Sequence, residues 1–184
     1  MDAVTALERS YDQLAKVVAN LSPDQLRAPS PCADWDVRAT LNHALGAAWM
    51  FTLVNQGQPV GEDAGDVVGD DPSGAVAAAA MANVSAWQQP GALEGDRTYP
   101  FGAFPAAAGL MINVGEIAVH AWDIAQASGQ QATLDPDVAG TVYEFYAAMP
   151  LDVYREHGAF GPEVAVDESA PAATKLLALL GRTP

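Results

Sequence analysis

Glu116, Ile117, Ala118, Val119 and His120 set a carboxylate and an imidazole four residues apart inside an apolar run. That spacing puts both on one face of a helix, about 5–6 Å apart. A divalent metal needs convergent lone pairs held by a rigid element, and this pair supplies two of them. The chain has three histidines, His43, His120 and His157. His43 falls in Asn42, His43, Ala44, Leu45, a second apolar helical stretch, and is the natural third ligand. A lone histidine on an apolar helix is more often a satisfied core residue, and a Glu and His at this spacing can be a plain helix-face pair. Three polar groups in one core, however, each cost several kcal/mol unless they are paired or coordinated. Spacing alone leaves both readings open.

Outward from these residues the pattern is helical. Val4, Leu7, Tyr11, Leu14, Val18 and Leu21 recur at steps of three and four, which predicts a helix over the first twenty residues. Ser22 and Pro23 open a brief turn, 28–33 is a loop, and Asp34 is the expected cap of a second helix over 35–56 that carries His43. Gly57 stops it, and residues 57–69, with Asp63 and Asp66, read as a solvated loop. Asp71 and Pro72 start a third helix to about residue 88, Ala-rich and without obvious chemistry. Residues 89–104, with Tyr99, Phe101 and Phe104, suit an ordered loop across a bundle end. A fourth helix over 105–129 holds Glu116 and His120, and a fifth runs from Asp135 and Pro136 to about residue 148, limited by Pro150. Val164 to Val166 is a short β-like run, and 172–180 is a last apolar turn. The expected architecture is all-α, a four-helix bundle over 1–150 with a C-terminal extension, 151–184, packing on it. Helices two and four would meet at the metal.

Composition narrows the function. The 184 residues, 50% hydrophobic, suffice for a packed core. With 23 acidic against 8 basic residues the formal charge is −15, which disfavours nucleic acid and anionic membranes as partners. No run approaches the ~18 apolar residues of a membrane span, and the start Met1, Asp2, Ala3 lacks a secretory signal, so a cytoplasmic location is expected. Cys32 is the single cysteine. Flanked by Pro31 and Asp34, it reads as part of a loop, since an acidic neighbour raises a thiol pKa and no catalytic partner is adjacent in sequence. Trp35, Trp49 and Trp122 are expected in the core or a pocket wall. His157 reads as exposed in a mobile tail. Asn113, one turn before Glu116, and Asp123, three residues after His120, are candidates to orient a ligand, Asp123 equally a surface residue. Few of the six arginines and two lysines fall near the site, and the Ala-rich third helix offers a face for a homodimer.

Pro31, Cys32, Ala33, Asp34, Trp35, Asp36, Val37, Arg38, then Leu41, Asn42, His43, and later Gly115 to Asp123, together resemble the mycothiol-dependent maleylpyruvate isomerase N-terminal family, within the DinB/YfiT-like superfamily of metalloproteins. The resemblance spans about residues 3–148. Phe160, Gly161, Pro162 and the closing Leu179, Leu180, Gly181, Arg182 resemble a short actinobacterial branch. It implies a DinB-like four-helix bundle with His43, Glu116 and His120 as ligands, zinc most often and nickel also compatible. Two imidazoles and a carboxylate leave a fourth position open, as in catalytic zinc sites. It further implies mycothiol as cosubstrate: a metal-bound thiol attacks a small electrophile, giving S-transfer or isomerisation, with no catalytic residue beyond the metal site. The same ligands also suit a hydrolase that activates water, or a metal or small-molecule binding protein without turnover. Isomerases of the family are expected to carry a larger second domain that grips a dicarboxylate, which this chain would lack.

Overall fold

The computed structural model describes residues 1–32, 34–61 and 64–184; Ala33 and Asp63, which the sequence placed in loops, lie outside them. The apolar stripe of the N-terminus is buried on α1 (Ala3–Ala19), whose first turn is closed by the Asp2 carboxylate accepting from the Thr5 N–H. With α2 (Val37–Asn55), α3 (Pro72–Trp87) and α4 (Ala106–Ala127) it forms a four-helix bundle. Around the bundle α1 neighbours α4 and α3, as does α2, so α1 and α2 lie on one diagonal.

Contacts at the helix ends give the directions. Gln130, just past α4, donates to the Val17 carbonyl near the end of α1, so these two helices run the same way. Gln88, just past α3, meets Glu8 near the start of α1, so α3 runs opposite. Arg38, at the start of α2, reaches the Gly69 carbonyl before α3 begins, so α2 and α3 run together. The bundle is therefore up-down-down-up, and the chain between the parallel α2 and α3 must return along its length. A buried polar network ties three helices. The Tyr11 hydroxyl donates to Asn83 Oδ1 at 3.1 Å, and Asn83 Nδ2 donates to the Ala48 carbonyl at 3.0 Å and to Thr52 Oγ1 at 3.1 Å.

Several expectations are corrected. Asp36, not Asp34, caps α2, accepting from the Ala39 N–H, while Asp34 takes a left-handed φ of 64° in the preceding turn. The stretch expected as loop over 89–104 contains an antiparallel hairpin, β1 (Asp96–Tyr99) and β2 (Gly102–Pro105), with Tyr99 opposite Gly102. It does cross the bundle end, because its aromatic rings settle over Phe51, Tyr99 at 5.0 Å and Phe101 at 6.2 Å between centroids. Val164 to Val166 forms no strand; Val164 merely donates its N–H to the Ala178 carbonyl, since a single strand without a neighbour has no ladder to join. The tail is more structured than expected. After α5 (Pro136–Ala147) come α6 (Leu151–Glu156) and α7 (Ala172–Leu179), α7 packs on α5, and Leu151, Leu176, Leu177 and Leu180 are buried with the bundle core. Among the described residues no helix is long and apolar enough to cross a membrane.

Candidate metal centre

The antiparallel packing of α2 on α4 brings the second turn of one helix against the middle of the other. His43 Nε2 lies 3.2 Å from Glu116 Oε2, and His120 Nε2 lies 3.4 Å from the same oxygen. One ligating atom from each of the three residues falls within 4.8 Å of the others. Zinc bonds of about 2.0–2.1 Å in a tetrahedron leave ligand atoms about 3.4 Å apart, so the donor set has the right kind and spacing. His43 is the exposed member; Trp35 tilts over it with ring centroids 4.7 Å apart.

What fixes His120 is a buried polar chain. Its Nδ1 lies 2.9 Å from Asp123 Oδ2 and donates to that carboxylate, turning Nε2 toward Glu116. Asp123 is wholly buried, and Arg182 reaches it through Nη2 at 2.9 Å and Nε at 3.3 Å. Burial alone would raise the Asp123 carboxyl, but His120 and Arg182 bring it down to about 2. Burial likewise opposes charge on Glu116 and His120. The two imidazoles nonetheless hold Glu116 below the usual carboxylate range, and hydrogen bonds to Asp123, Cys32 and Glu116 hold the His120 imidazole well above its ordinary value. With Nδ1 bound to Asp123, a proton on Nε2, or a metal ion in its place, balances the Glu116 oxygen 3.4 Å away.

The sequence-predicted residues divide on this geometry. His43, Glu116, His120 and Asp123 converge. Asn113 does not, because its Oδ1 accepts from Trp87 Nε1 at 2.9 Å and the side chain serves the α3–α4 contact. Trp35 and Trp122 wall the cleft on one side and Trp49 on the other. His157 is exposed as expected, yet it borders the cleft from the end of α6, with Nδ1 donating to the Val153 carbonyl. Cys32 has the partners that its sequence neighbours lacked: Sγ lies 3.3 Å from Asp123 Oδ2 and 3.8 Å from His120 Nδ1. Arg182, named in the sequence only as part of the closing run, takes a place at the site that the sequence does not assign it. Nothing in the sequence pairs it with Asp123, 59 positions away; the one signal was an arginine closing an otherwise apolar C-terminal run.

The triad stands between two lobes of one cleft, sharing His43, Glu116, Tyr146, His157, Ala159 and Phe160. One lobe, about 1040 Å³, runs along α2 toward the hairpin and is walled by apolar side chains. The other, about 860 Å³, holds Cys32, Trp35, Gln126, Arg182 and Thr183.

An up-down-down-up bundle with a His/Glu/His cluster facing a cleft defines a class of helical proteins with a candidate metal site. Within that class, a family model described as the mycothiol maleylpyruvate isomerase N-terminal domain matches residues 7–125, and the chain belongs to this family. Two uncharacterised proteins of Mycobacterium tuberculosis, one from strain CDC 1551 / Oshkosh and one from strain ATCC 25618 / H37Rv, are each 30% identical over 189 residues, covering 100% of this chain and 99% of theirs. A crystal structure of the mycothiol-dependent maleylpyruvate isomerase is 16% identical with a TM-score of 0.72, covering 98% of this chain and 88% of that one. A histidine-to-alanine mutant of the same enzyme aligns with a TM-score of 0.63 over 90% of this chain. The first of these alignments leaves about an eighth of the isomerase chain unmatched.

Proposed function

We propose that this chain is a metal-dependent enzyme that uses a low-molecular-weight thiol, mycothiol, as nucleophile on a small electrophile, by S-transfer or isomerisation. The observation that carries the reading is the convergence of His43, Glu116 and His120 on one point at the junction of two lobes. Family membership supports it, as does the likeness to an enzyme that bears mycothiol in its name. A zinc or nickel ion held by these residues would lower the pKa of a coordinated thiol and so supply a nucleophile at neutral pH.

The chain's own residues do the rest. Asp123 orients His120 and opposes its rotation, and Arg182 keeps Asp123 ionised. His43, at the solvent edge, leaves the approach open, while Tyr146 and Phe160 stand against both lobes. Glu116 in the cleft and the buried Asp123 behind it are each engaged by imidazole or guanidinium, so neither is free as a general base for water. That ordering favours thiol chemistry over hydrolysis.

The test is elemental analysis of wild-type protein and His120→Ala, followed by a screen for mycothiol adducts over a panel of electrophiles. About one zinc or nickel per chain, lost in the variant together with adduct formation, is the expected result. Metal-loaded protein that forms no adduct on any member of the panel overturns the thiol reading, and ester turnover independent of thiol replaces it with hydrolysis.

A further inference from the structure

We infer that the electrophile taken by this site is an uncharged, largely apolar molecule seated in the lobe along α2. The inference rests on the function proposed above and adds the substrate class to it.

The positions of the basic residues carry the argument. The chain has only eight. Arg9 bridges Asp135 and Asp137, Arg27 pairs with Asp24, and Arg38 with Asp66, all on the outside of the bundle. Arg97 binds the carbonyls of its own turn, and Arg155 those of Gly161 and Leu179. Lys16 lies in the last turn of α1 and Lys175 in α7, and neither lines the cleft. Arg182 alone reaches it, on the polar side, with its guanidinium already bonded to Asp123. Among the described residues no lysine or arginine lines the α2 lobe.

That lobe is walled by Trp49, Met50, Phe51, Phe101, Ile112 and Met149, and ends on His43 and Glu116. Away from the candidate metal ligands, a carboxylate moved into it would lose hydration with no lysine or arginine to receive it, inside a chain of formal charge −15. A dicarboxylate with one end at the metal would still leave its other end without such a partner. An apolar body instead gains from leaving water, and the rings of Phe51 and Phe101, 6.2 Å apart and edge to face, present faces and edges to an aromatic or alkyl group. The electrophilic atom then lies at the junction of the two lobes, beside the candidate metal ligands. For an α,β-unsaturated ketone the step balances without oxidant: the S–C bond forms at the β carbon, the alkene π pair moves to the α carbon, and that carbon takes the proton the thiol gives up.

The experiment uses zinc-loaded full-length protein and calorimetric binding of two unreactive probes, benzylacetone and succinate. Benzylacetone is expected to bind at least about ten-fold more tightly than succinate. Ile112→Arg, one turn before Glu116 on α4, should lower benzylacetone affinity by about ten-fold or more while zinc content is retained; Met50→Lys serves if that variant does not fold. Succinate binding as tightly as benzylacetone, or benzylacetone affinity unchanged in the folded variant, overturns the inference. Mycothiol and benzylideneacetone separate the two proposals. An adduct supports both, whereas benzylacetone binding with no adduct on benzylideneacetone or any other member of the panel upholds the ligand class of the lobe and overturns the thiol reading.

Discussion

Asp123 is the side chain on which the site turns, because it touches His120, Arg182 and Cys32 at once. Asp123→Asn keeps the shape and removes the charge. Zinc affinity is expected to fall by about 10–100-fold, read by competition with a chelator, since the imidazole then lacks the carboxylate that orients it. Arg182→Met leaves a buried carboxylate without its guanidinium. Its expected cost is about 3–5 kcal/mol, measured by urea unfolding. Gly115 acts through space rather than charge. A Cβ there would lie 2.7 Å from the ring and hydroxyl of Tyr146, which stands against both lobes. Gly115→Ala should cost about 1–3 kcal/mol and weaken ligand binding, with both effects smaller in the background of Tyr146→Phe. At this scale His43, Glu116 and His120 could be read from sequence because each sits in an apolar helical pattern. Arg182 and the surroundings of Cys32 could not, because their partners are distant in the chain.

The helices divide along the same line. α1 and α4 follow from apolar periodicity, and α3 from the Asp71 cap, Pro72 in its first turn and its Ala-rich run, local signals that act within a turn or along one helix. The start of α2 shows the limit: two aspartates stand two positions apart, and only backbone geometry selects Asp36, which accepts from the Ala39 N–H at 2.8 Å. Asp36→Ala is expected to lower stability by about 1 kcal/mol by urea unfolding and to loosen His43, which sits in the second turn of that helix. The hairpin between α3 and α4 is held by pairing and by aromatic contact with Phe51, and neither is visible in a four-residue strand with little alternation. α7 is amphipathic over two turns only, too short to declare itself without α5 to pack against.

For the molecule as a whole, burial of phenols sets an alkaline limit. Desolvation raises the Tyr99 hydroxyl to about 12 and those of Tyr11 and Tyr146 further still. The unfolded chain releases these protons near pH 10 and the folded chain holds them, so the stability they confer is present below about pH 10 and is lost as pH rises beyond it. Urea midpoints should therefore hold level up to about pH 10 and then decline, with a shallower decline in Tyr146→Phe. The charge balance, the absence of a membrane-spanning run, the helical class and the spacing of Glu116 and His120 were determined by the sequence itself, because each rests on composition or on contacts within one helix. The up-down-down-up order, the meeting of α2 with α4, the Arg182–Asp123–His120 chain and the two-lobed cleft were decided only by the tertiary structure. They depend on which apolar faces bury one another, and side chains far apart in sequence become neighbours only once that burial has been chosen.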